Sequence, residues 1–347
     1  MLITHSEYLQ DLEYAARYID ISDNSSVLIT GATGLIGSFL IDTFLYYNRT
    51  RNKKLIIAGT SRHIENLETR FGYGIGTGYL KLIERDALEL IPEAEDYDYI
   101  IHLASNADPG SYALYPAETI TTNILGTLNV LNYLKDHQKT KMLMASTFEV
   151  YGNIPGANFF SEEDYGSIDF NQVRSGYPES KRTAELLIRS WVEEYGINAV
   201  IVRLSSIYGP TMTANDNKAA AQFIRKAING EDIVLKSKGD QLRSYCYVAD
   251  AAGGILTALC HGANGEAYNV SNPDCEITIA ELARTVARLS NRDVVFELPD
   301  ELESKGFSKP QNSVLCADKI MELGFAPAYS AELGVLRTMA ILGNRKG

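Results

Sequence analysis

Short apolar runs alternate with longer amphipathic stretches over the first 210 residues. The apolar runs predict strands at 27–29, 55–58, 79–83, 99–103, 142–145 and 199–203. Apolar side chains at helical spacing predict helices over 5–19, 39–45, 117–135 and 177–195, the first of them capped by Ser6. Because strands and helices alternate, the pattern indicates an α/β fold with a doubly wound parallel sheet.

The pattern weakens after residue 210, which predicts a second, smaller α/β domain. The elements expected there are helices at 219–228 and 279–289 and strands at 233–235, 245–248 and 267–270. We predict that the first domain comprises 1–210, with 245–270 returning to it. The second domain would then comprise 211–244 and 271–347.

Charge and composition narrow the range of partners. The 347 residues carry a formal net charge of −12, with a sequence pI of about 5.0. Since the sequence has no basic patch, we expect neither nucleic acid nor an anionic membrane as a partner. No apolar run approaches the roughly 20 residues of a membrane span, and the first residues lack the basic region of a signal peptide. The four cysteines form no C-x-x-C pair, which predicts reduced structural thiols in a cytoplasmic protein.

Three glycines at the spacing G-x-x-G-x-x-G follow the first predicted strand. They are Gly31, Gly34 and Gly37, in the stretch V-L-I-T-G-A-T-G-L-I-G-S. A strand, a tight glycine turn and a helix start bring backbone N–H groups and the positive helix end to a pyrophosphate. The spacing differs from the common G-x-G-x-x-G fingerprint. Its position directly after a strand nevertheless predicts a Rossmann-type dinucleotide site in the first domain.

A second motif reads Y-P-E-S-K from Tyr177 to Lys181, at the start of a predicted helix. Residues four apart share one face of a helix, so Tyr177 and Lys181 are expected to lie side by side. An ammonium group beside a phenol favours the phenolate and lowers the tyrosine pKa from its ordinary value of about 10. The pair therefore predicts a general base that works near neutral pH.

With these motifs the chain resembles the extended short-chain dehydrogenases/reductases of the NAD-dependent epimerase/dehydratase type, which modify nucleotide sugars. The resemblance covers nearly the whole chain. Further residues that carry it are Asp86, His102-Leu103-Ala104-Ser105, Ser146-Thr147, Tyr208-Gly209-Pro210, Arg243 and Tyr247-Val248-x-Asp250. For Asp250 itself we expect only the role of a helix cap.

The resemblance implies roles for individual residues and a nucleotide-sugar-binding role for the second domain. Tyr177 would take the proton from the sugar C4 hydroxyl while hydride leaves C4 for the nicotinamide. Lys181 would tune Tyr177, and Thr147 would bond the reacting oxygen. Arg243 would hold the substrate diphosphate, because a guanidinium fork meets phosphate oxygens bidentately. The residues implied to bind the cofactor are Gly31, Gly34, Leu35, Ile36, Gly37, Arg62, Asp86, Ala87, Leu103, Ala104, Ser105, Tyr177 and Lys181, and no metal is expected.

Glu149 discriminates among the reactions of such enzymes. The resemblance implies a carboxylate here in the 4,6-dehydratases and the UDP-glucuronate decarboxylases, and usually none in simple 4-epimerases. Beside a 4-keto sugar, a carboxylate can remove the C5 proton or steer protonation of an enolate. The preceding residue, Phe148, departs both from the aspartate of the dehydratases and from the serine of the decarboxylases, and it cannot donate a proton.

A second local match favours the decarboxylases. The stretch from His102 to Leu131 is similar to theirs in H-L-A-S and at Tyr112, Tyr115-Pro116 and Thr122-Asn123, among other positions. Oxidation at C4 of a glucuronate makes a β-keto acid, which loses CO2 readily because the electrons enter an enolate. We therefore predict a UDP-glucuronate decarboxylase-like enzyme with Tyr112 and Phe148 at the substrate. A 4,6-dehydratase, a 4-epimerase and a net keto-sugar reductase are the alternatives.

The form of the cofactor depends on the end of the second strand. An acidic residue about 20 residues beyond the glycine turn would hold the ribose hydroxyls of NAD. The strand ends instead in Gly59-Thr60-Ser61-Arg62, which contains no acid. Because an arginine there can accept a 2′-phosphate, the sequence predicts NAD(P) and favours NADP. The alternative is NAD, with Arg62 only beginning the next helix.

Two further expectations concern assembly and class. The family often dimerises through the helices that correspond to 117–135 and 177–195, which predicts a homodimer. The alternative from outside the enzymes is a non-enzymatic dinucleotide-sensing protein on the same fold. Such a protein would need no Tyr177–Lys181 pair.

Overall fold

The computed structural model describes residues 2–107, 109–157, 159–297, 299 and 312–343. The helices are α1 (Ser6–Ala16), α2 (Leu35–Arg51), α3 (Ile64–Phe71), α4 (Pro109–Leu114), α5 (Pro116–Asp136), α6 (Gly176–Tyr195), α7 (Ala219–Asn229), α8 (Val248–His261), α9 (Ile279–Ser290), α10 (Asp318–Met321) and α11 (Ala331–Gly343). The strands are β1 (Ser26–Thr30), β2 (Ile56–Ser61), β3 (Leu80–Glu84), β4 (Tyr99–His102), β5 (Lys141–Thr147), β6 (Asn198–Leu204), β7 (Ser206–Tyr208), β8 (Ile233–Leu235), β9 (Leu242–Tyr247), β10 (Ala267–Val270), β11 (Glu276–Thr278), β12 (Val294–Phe296) and β13 (Asn312–Ser313).

Seven parallel strands form the central sheet, in the order β10-β6-β5-β4-β1-β2-β3. The chain moves outward from β1 to β3 and then continues on the other side of β1 with β4, so the order reverses between β1 and β4. In such sheets ligands bind beyond the carboxyl ends of the strands at the point of reversal. The predicted doubly wound parallel sheet is therefore confirmed.

Helices cover both faces of this sheet. Val27 and Ile29 of β1 belong to the core that contains the buried residues of α1, α2 and α8. Leu28, between them, belongs to a second core with buried residues of α5 and α6. Since successive side chains of a strand point to opposite faces, a continuous apolar run is what a strand buried on both faces requires.

The smaller part of the structure is built on β9, which pairs with β7, β11 and β13, and on the pair β8–β12. Within 245–270, α8 packs on the central sheet and β10 joins it. Residues 245–247 belong to β9 in the smaller sheet, and Val248 begins α8. The boundaries of the two domains stay a prediction, and residues 298, 300–311 and 344–347 of the second lie outside the described residues.

Two predicted helix caps are wrong. Ser6 is the first residue of α1, and its hydroxyl bonds the carboxylate of the next residue rather than a helix N–H. Asp250 is buried in the first turn of α8. Its carboxylate accepts hydrogen bonds from the backbone N–H groups of Ala328 (2.8 Å) and Tyr329 (3.1 Å) and from the side chain of Asn272 (3.1 Å). Asp250 therefore ties α8 to the C-terminal segment.

Two expectations about the whole chain can be compared with the structure. All four cysteines are free, as predicted, and burial raises the pKa of the Cys246 and Cys275 thiols. Among the residues described, none of the helices combines the length and the apolar character that crossing a bilayer would need.

Candidate active site

Two adjoining cavities, of about 260 and 570 Å³, lie beyond the carboxyl ends of the central strands. Gly31, Gly34, Leu103 and Ser105 line both of them, so the cavities meet at the glycine turn. The other predicted site residues that line the smaller cavity are Arg62, Asp86, Ala87 and Ala104. Those that line the larger cavity are Leu35, Ile36, Gly37, Tyr112, Thr147, Phe148, Glu149, Tyr177, Lys181 and Arg243. The fold thus brings all the predicted site residues to one continuous cleft.

The glycine turn is too tight for side chains. Gly31 has a φ of +68°, and a Cβ there would lie 3.0 Å from the backbone of Ala104. A Cβ on Gly37 would lie 2.4 Å from the carbonyl oxygen of Gly31. Helix α2 begins at Leu35 without a side-chain cap, so the N–H groups of its first turn have no acceptor within the helix. This bare, positive helix end fits a pyrophosphate, and the residues present fit a dinucleotide.

The smaller cavity contains the groups expected at the adenosine end. Arg62 donates from Nη1 to Oε1 of Glu118 at 3.0 Å, and the same oxygen accepts from Nδ2 of Asn106 at 3.2 Å. Asp86 accepts a hydrogen bond from the N–H of Leu88 at 2.8 Å, which closes the turn after β3. Among the described residues that line this cavity, Asp86 alone is a carboxylate. The sequence reasoning overlooked Glu118, which lies in the first turn of α5.

A buried polar network joins the ends of β1 and β4 beneath the cleft. The hydroxyl of Thr30 lies 2.9 Å from Nδ1 of His102 and accepts hydrogen bonds from the N–H groups of Leu103 and Ala104, both at 3.2 Å. Burial lowers the pKa of His102 to about 3, with Lys181 as a second cause. The imidazole is therefore neutral at every physiological pH, and it holds the loop that faces Gly31.

The buried histidine predicts acid-sensitive stability. Because the pKa is about 3 in the folded protein and 6.5 ordinarily, the unfolded chain binds a proton first as the pH falls. Stability is therefore complete above pH 6.5 and is lost as the pH falls toward 3, by up to about 1.4 kcal/mol per pH unit from this residue. We expect His102→Asn, which keeps an amide near Thr30, to remove this component. Urea unfolding of both proteins at pH 7 and pH 5 measures it, and equal losses in the two proteins would contradict the assignment.

Tyr177 lines the larger cavity and lies in the first turn of α6. Its ring stacks on that of Tyr112, with centroids 4.3 Å apart and an interplanar angle of 23°. Burial and then the charge of Glu149 raise the pKa of Tyr177 to about 12, although hydrogen bonding with Tyr112 and Thr147 opposes the rise. The predicted lowering of this pKa is wrong for the protein alone, because burial outweighs the nearby donors. A cationic nicotinamide would act in the opposite direction.

Lys181 follows one turn later and is held by the neighbouring strand. Its Nζ donates to the carbonyl oxygen of Ala145 in β5 at 2.9 Å. Burial lowers its pKa to about 8, against the attraction of Glu185. Glu185 in turn binds Arg203 at 2.8 Å and accepts a hydrogen bond from Ser146. The ammonium group is thus fixed within the cleft with one strand carbonyl already bound.

Glu149 is held by an arginine that the sequence reasoning missed. Arg174 places Nη2 at 2.9 and 2.7 Å from the two carboxylate oxygens of Glu149. The same guanidinium lies 4.5 Å from the ring centroid of Tyr112, which stacks on Tyr177. One cation therefore connects the carboxylate to the tyrosine pair. The only signal in the sequence is a basic residue three positions before Tyr177, which many surface helix starts share.

Arg243 approaches the cleft from the smaller sheet. It lies in β9, is 6% exposed and donates a hydrogen bond to the hydroxyl of Ser313. Its guanidinium lies 5.8 Å from the ring centroid of Phe148, and burial lowers its pKa. Arg243 of the smaller sheet thus lies near Phe148, which directly follows β5 of the central sheet.

Solved structures with the same architecture support this reading of the fold. One is DesIV, the dTDP-glucose 4,6-dehydratase of Streptomyces venezuelae, solved with NAD bound (TM-score 0.79, 24% identity, 93% of this chain and 98% of that one). Another is the UDP-glucuronic acid 4-epimerase of Bacillus cereus, solved with UDP-glucuronic acid and NAD (TM-score 0.77, 23% identity, 92% and 99%). At these identities the likeness establishes the fold.

Curated relatives are more similar in sequence. UDP-glucuronic acid decarboxylase 6 of Arabidopsis thaliana is 35% identical over 275 residues, which cover 79% of this chain and 77% of that protein. UDP-glucuronic acid decarboxylase 1 of Xenopus tropicalis is 31% identical over 343 residues, 96% of this chain and 77% of that protein. The predicted similarity to UDP-glucuronate decarboxylases is therefore confirmed. Residues 27–271 match the model of the NAD dependent epimerase/dehydratase family, and the chain belongs to that family.

Proposed function

We propose that this nucleotide-sugar enzyme acts on UDP-glucuronate, which it oxidises at C4 and decarboxylates. The observation that carries the proposal is the position of Glu149, paired with Arg174 in the same cleft as Tyr177. The similarity to UDP-glucuronic acid decarboxylases supports the choice of substrate. Four groups suited to this chemistry, on Thr147, Glu149, Tyr177 and Lys181, converge on one cavity, as an enzyme requires and a dinucleotide sensor does not.

Tyr177 is the proposed general base for the C4 hydroxyl. Thr147 holds the reacting oxygen, and Lys181 supplies a fixed positive charge and a hydrogen bond beside the sugar and the nicotinamide ribose. Gly31–Gly37, Asp86 and Leu103–Ser105 would hold the dinucleotide, which when bound would supply a reversible hydride acceptor. Because the sugar ends with the hydride it began with, the overall reaction consumes no reductant.

Glu149 is the proposed group for the step that follows oxidation. The bond between C5 and the carboxylate carbon of the 4-keto sugar breaks, CO2 leaves, and the electron pair enters an enolate across C4 and C5. A proton from water then adds to C5 in place of the lost carboxylate, and the carboxylate of Glu149 steers that proton. Phe148 offers no acid to a departing C6 hydroxyl, which weighs against a 4,6-dehydratase.

Incubation with UDP-glucuronate, UDP-glucose, dTDP-glucose and GDP-mannose, followed by mass spectrometry, tests this function. We expect loss of CO2 from UDP-glucuronate and no net change in the other three. Loss of water from a hexose nucleotide would assign a dehydratase, and an unchanged mass with altered retention would assign an epimerase. Net consumption of NADPH would assign a reductase. The Tyr177→Phe protein serves as the inactive control.

For the cofactor we propose NADP. Support comes from Arg62, which lines the smaller cavity, at a position where NAD enzymes of this fold place an acid. The solved structures described above contain NAD, so NAD is the competing choice. Heat denaturation of the purified protein, followed by chromatography of the released dinucleotide, distinguishes the two forms.

We also propose a homodimer formed through α5 and α6, and a cytoplasmic location. The two helices pack against each other, and each presents an exposed leucine, Leu125 (45% exposed) and Leu186 (65%). Paired helices with apolar side chains left at the surface suit association with a second copy. Sedimentation velocity tests the proposal, since a monomer at all concentrations would contradict it.

A further inference from the structure

We infer that Glu118 sets how strongly this site accepts a 2′-phosphorylated cofactor, by competing with the phosphate for Arg62. The inference rests on the proposed NAD(P) site. Glu118 lies in α5, outside the glycine turn and outside the strand whose end usually decides between NAD and NADP. Glu118 acts here as a specificity-determining residue and does not touch the reacting atoms.

The geometry places Glu118 beside the adenosine end of the cleft. Arg62, directly after β2, lines the smaller cavity, and so does Thr122 of α5. Glu118 precedes Thr122 by one turn on the same face of α5. Its Oε1 accepts from Arg62 at 3.0 Å and from Asn106 at 3.2 Å. The pair therefore bridges the end of β2 and the start of α5, and Arg62 and Asn106, both bound to Glu118, line the smaller cavity.

Glu118 and a 2′-phosphate would compete for the same cation, Arg62. The side chains of Arg62 and Glu118 are 57% and 44% exposed, and exposed ion pairs are weak. A phosphate dianion that forms charge-assisted hydrogen bonds displaces such a carboxylate. Glu118 nevertheless stays nearby, because Asn106 and the positive start of α5 hold it. Its carboxylate therefore stays within reach of Arg62 and keeps competing with the phosphate for that guanidinium.

Neighbouring charges do not take over this role. Arg85, which also lines the cavity, is paired with Glu95 at 2.6 Å. Asp86 accepts the backbone N–H of Leu88. Of the two arginines that line the described part of this cavity, Arg62 is therefore the one with an exposed, easily displaced carboxylate partner. That partner is Glu118.

Calorimetric binding of two probes to the full-length protein tests the inference. The probes are 2′,5′-ADP, which carries the 2′-phosphate, and 5′-AMP, which lacks it. We expect Glu118→Gln to bind 2′,5′-ADP about three- to tenfold more tightly than the unmodified protein, with the affinity for 5′-AMP unchanged. The gain should shrink as salt is added. In an Arg62→Gln background, Glu118→Gln should have no effect, because the contested cation is gone.

The binding data distinguish a role of Glu118 at the 2′-phosphate from a general effect on the cavity. Equal changes for both probes, or no change for either, would overturn the role of Glu118. A gain that persists without Arg62 would overturn the competition mechanism. The proposed NADP preference is tested separately by the affinities of the unmodified protein for the two probes. If that protein prefers 5′-AMP, the cofactor proposal fails, while the effect of Glu118→Gln is still measured.

Discussion

Tyr177→Phe should lower kcat for UDP-glucuronate by about 10³-fold, within the 10²- to 10⁴-fold range of general-base catalysis. The change removes one oxygen and keeps the ring that stacks on Tyr112 at 4.3 Å. Oxidation at C4 requires proton removal from the C4 hydroxyl, and the loss of CO2 follows that oxidation. Formation of the reduced cofactor and of the pentose nucleotide should therefore slow together. Stopped-flow absorbance of the reduced nicotinamide and chromatography of the products measure the two steps.

A matched control separates this effect from damage to the fold. Tyr165→Phe removes the same oxygen from a side chain that is 89% exposed, and it should leave kcat unchanged. The affinity of the Tyr177→Phe protein for UDP should also stay within about twofold, since the hydroxyl is not expected to hold the nucleotide. Turnover within tenfold of the unmodified protein would remove Tyr177 from the role of base.

Glu149→Gln should slow overall turnover by about 10²-fold or more while leaving oxidation at C4 largely intact. The amide can still accept a hydrogen bond from Arg174, which lies 2.7 Å from the nearer carboxylate oxygen, but it carries no charge to steer a proton. The 4-keto sugar should therefore accumulate with the reduced cofactor, in contrast to the Tyr177→Phe protein. Rapid-quench mass spectrometry detects that build-up.

Two comparisons sharpen the result for Glu149. Glu163→Gln, a change at an exposed carboxylate, should leave turnover unchanged. Arg174→Gln should give a smaller loss than Glu149→Gln, because it frees the carboxylate without removing it. If Arg174→Gln and Glu149→Gln slow the same step equally, Glu149 acts only as the anchor of Arg174. If Glu149→Gln blocks the first oxidation as well, its proposed place in the sequence of steps is wrong.

Burial explains where the sequence reasoning misjudged the chemistry. A Tyr-x-x-x-Lys spacing places two side chains on one face of a helix, and both Tyr177 and Lys181 do line the cavity. The spacing carries no information on desolvation, which raises the pKa of Tyr177 to about 12 and lowers that of Lys181 to about 8. Each buried group disfavours its own charged form, and for Tyr177 the charge of Glu149 adds to this effect.

Partners from distant segments explain what the sequence reasoning missed. Glu149 was identified from its place after β5, but its partner Arg174 lies 25 residues away in a short 3₁₀ helix (Val173–Ser175). Arg62 was identified from the end of β2, but Glu118 lies 56 residues further along the chain. An ion pair between distant segments leaves no periodic trace in a single sequence, because neither spacing nor local propensity depends on it.

The sequence by itself determined the central sheet, the glycine turn and many of the residues that line the cleft. Those features depend on local signals: apolar runs for strands buried on both faces, glycines where a Cβ does not fit, and four-residue spacing on a helix. The tertiary structure alone decided which charges meet. It paired Arg174 with Glu149 and Arg62 with Glu118, it brought Arg243 and Phe148 within 5.8 Å, and it assigned β9 to the smaller sheet. Such pairings depend on how separate elements pack, since electrostatic energies are set by distance and burial rather than by order along the chain.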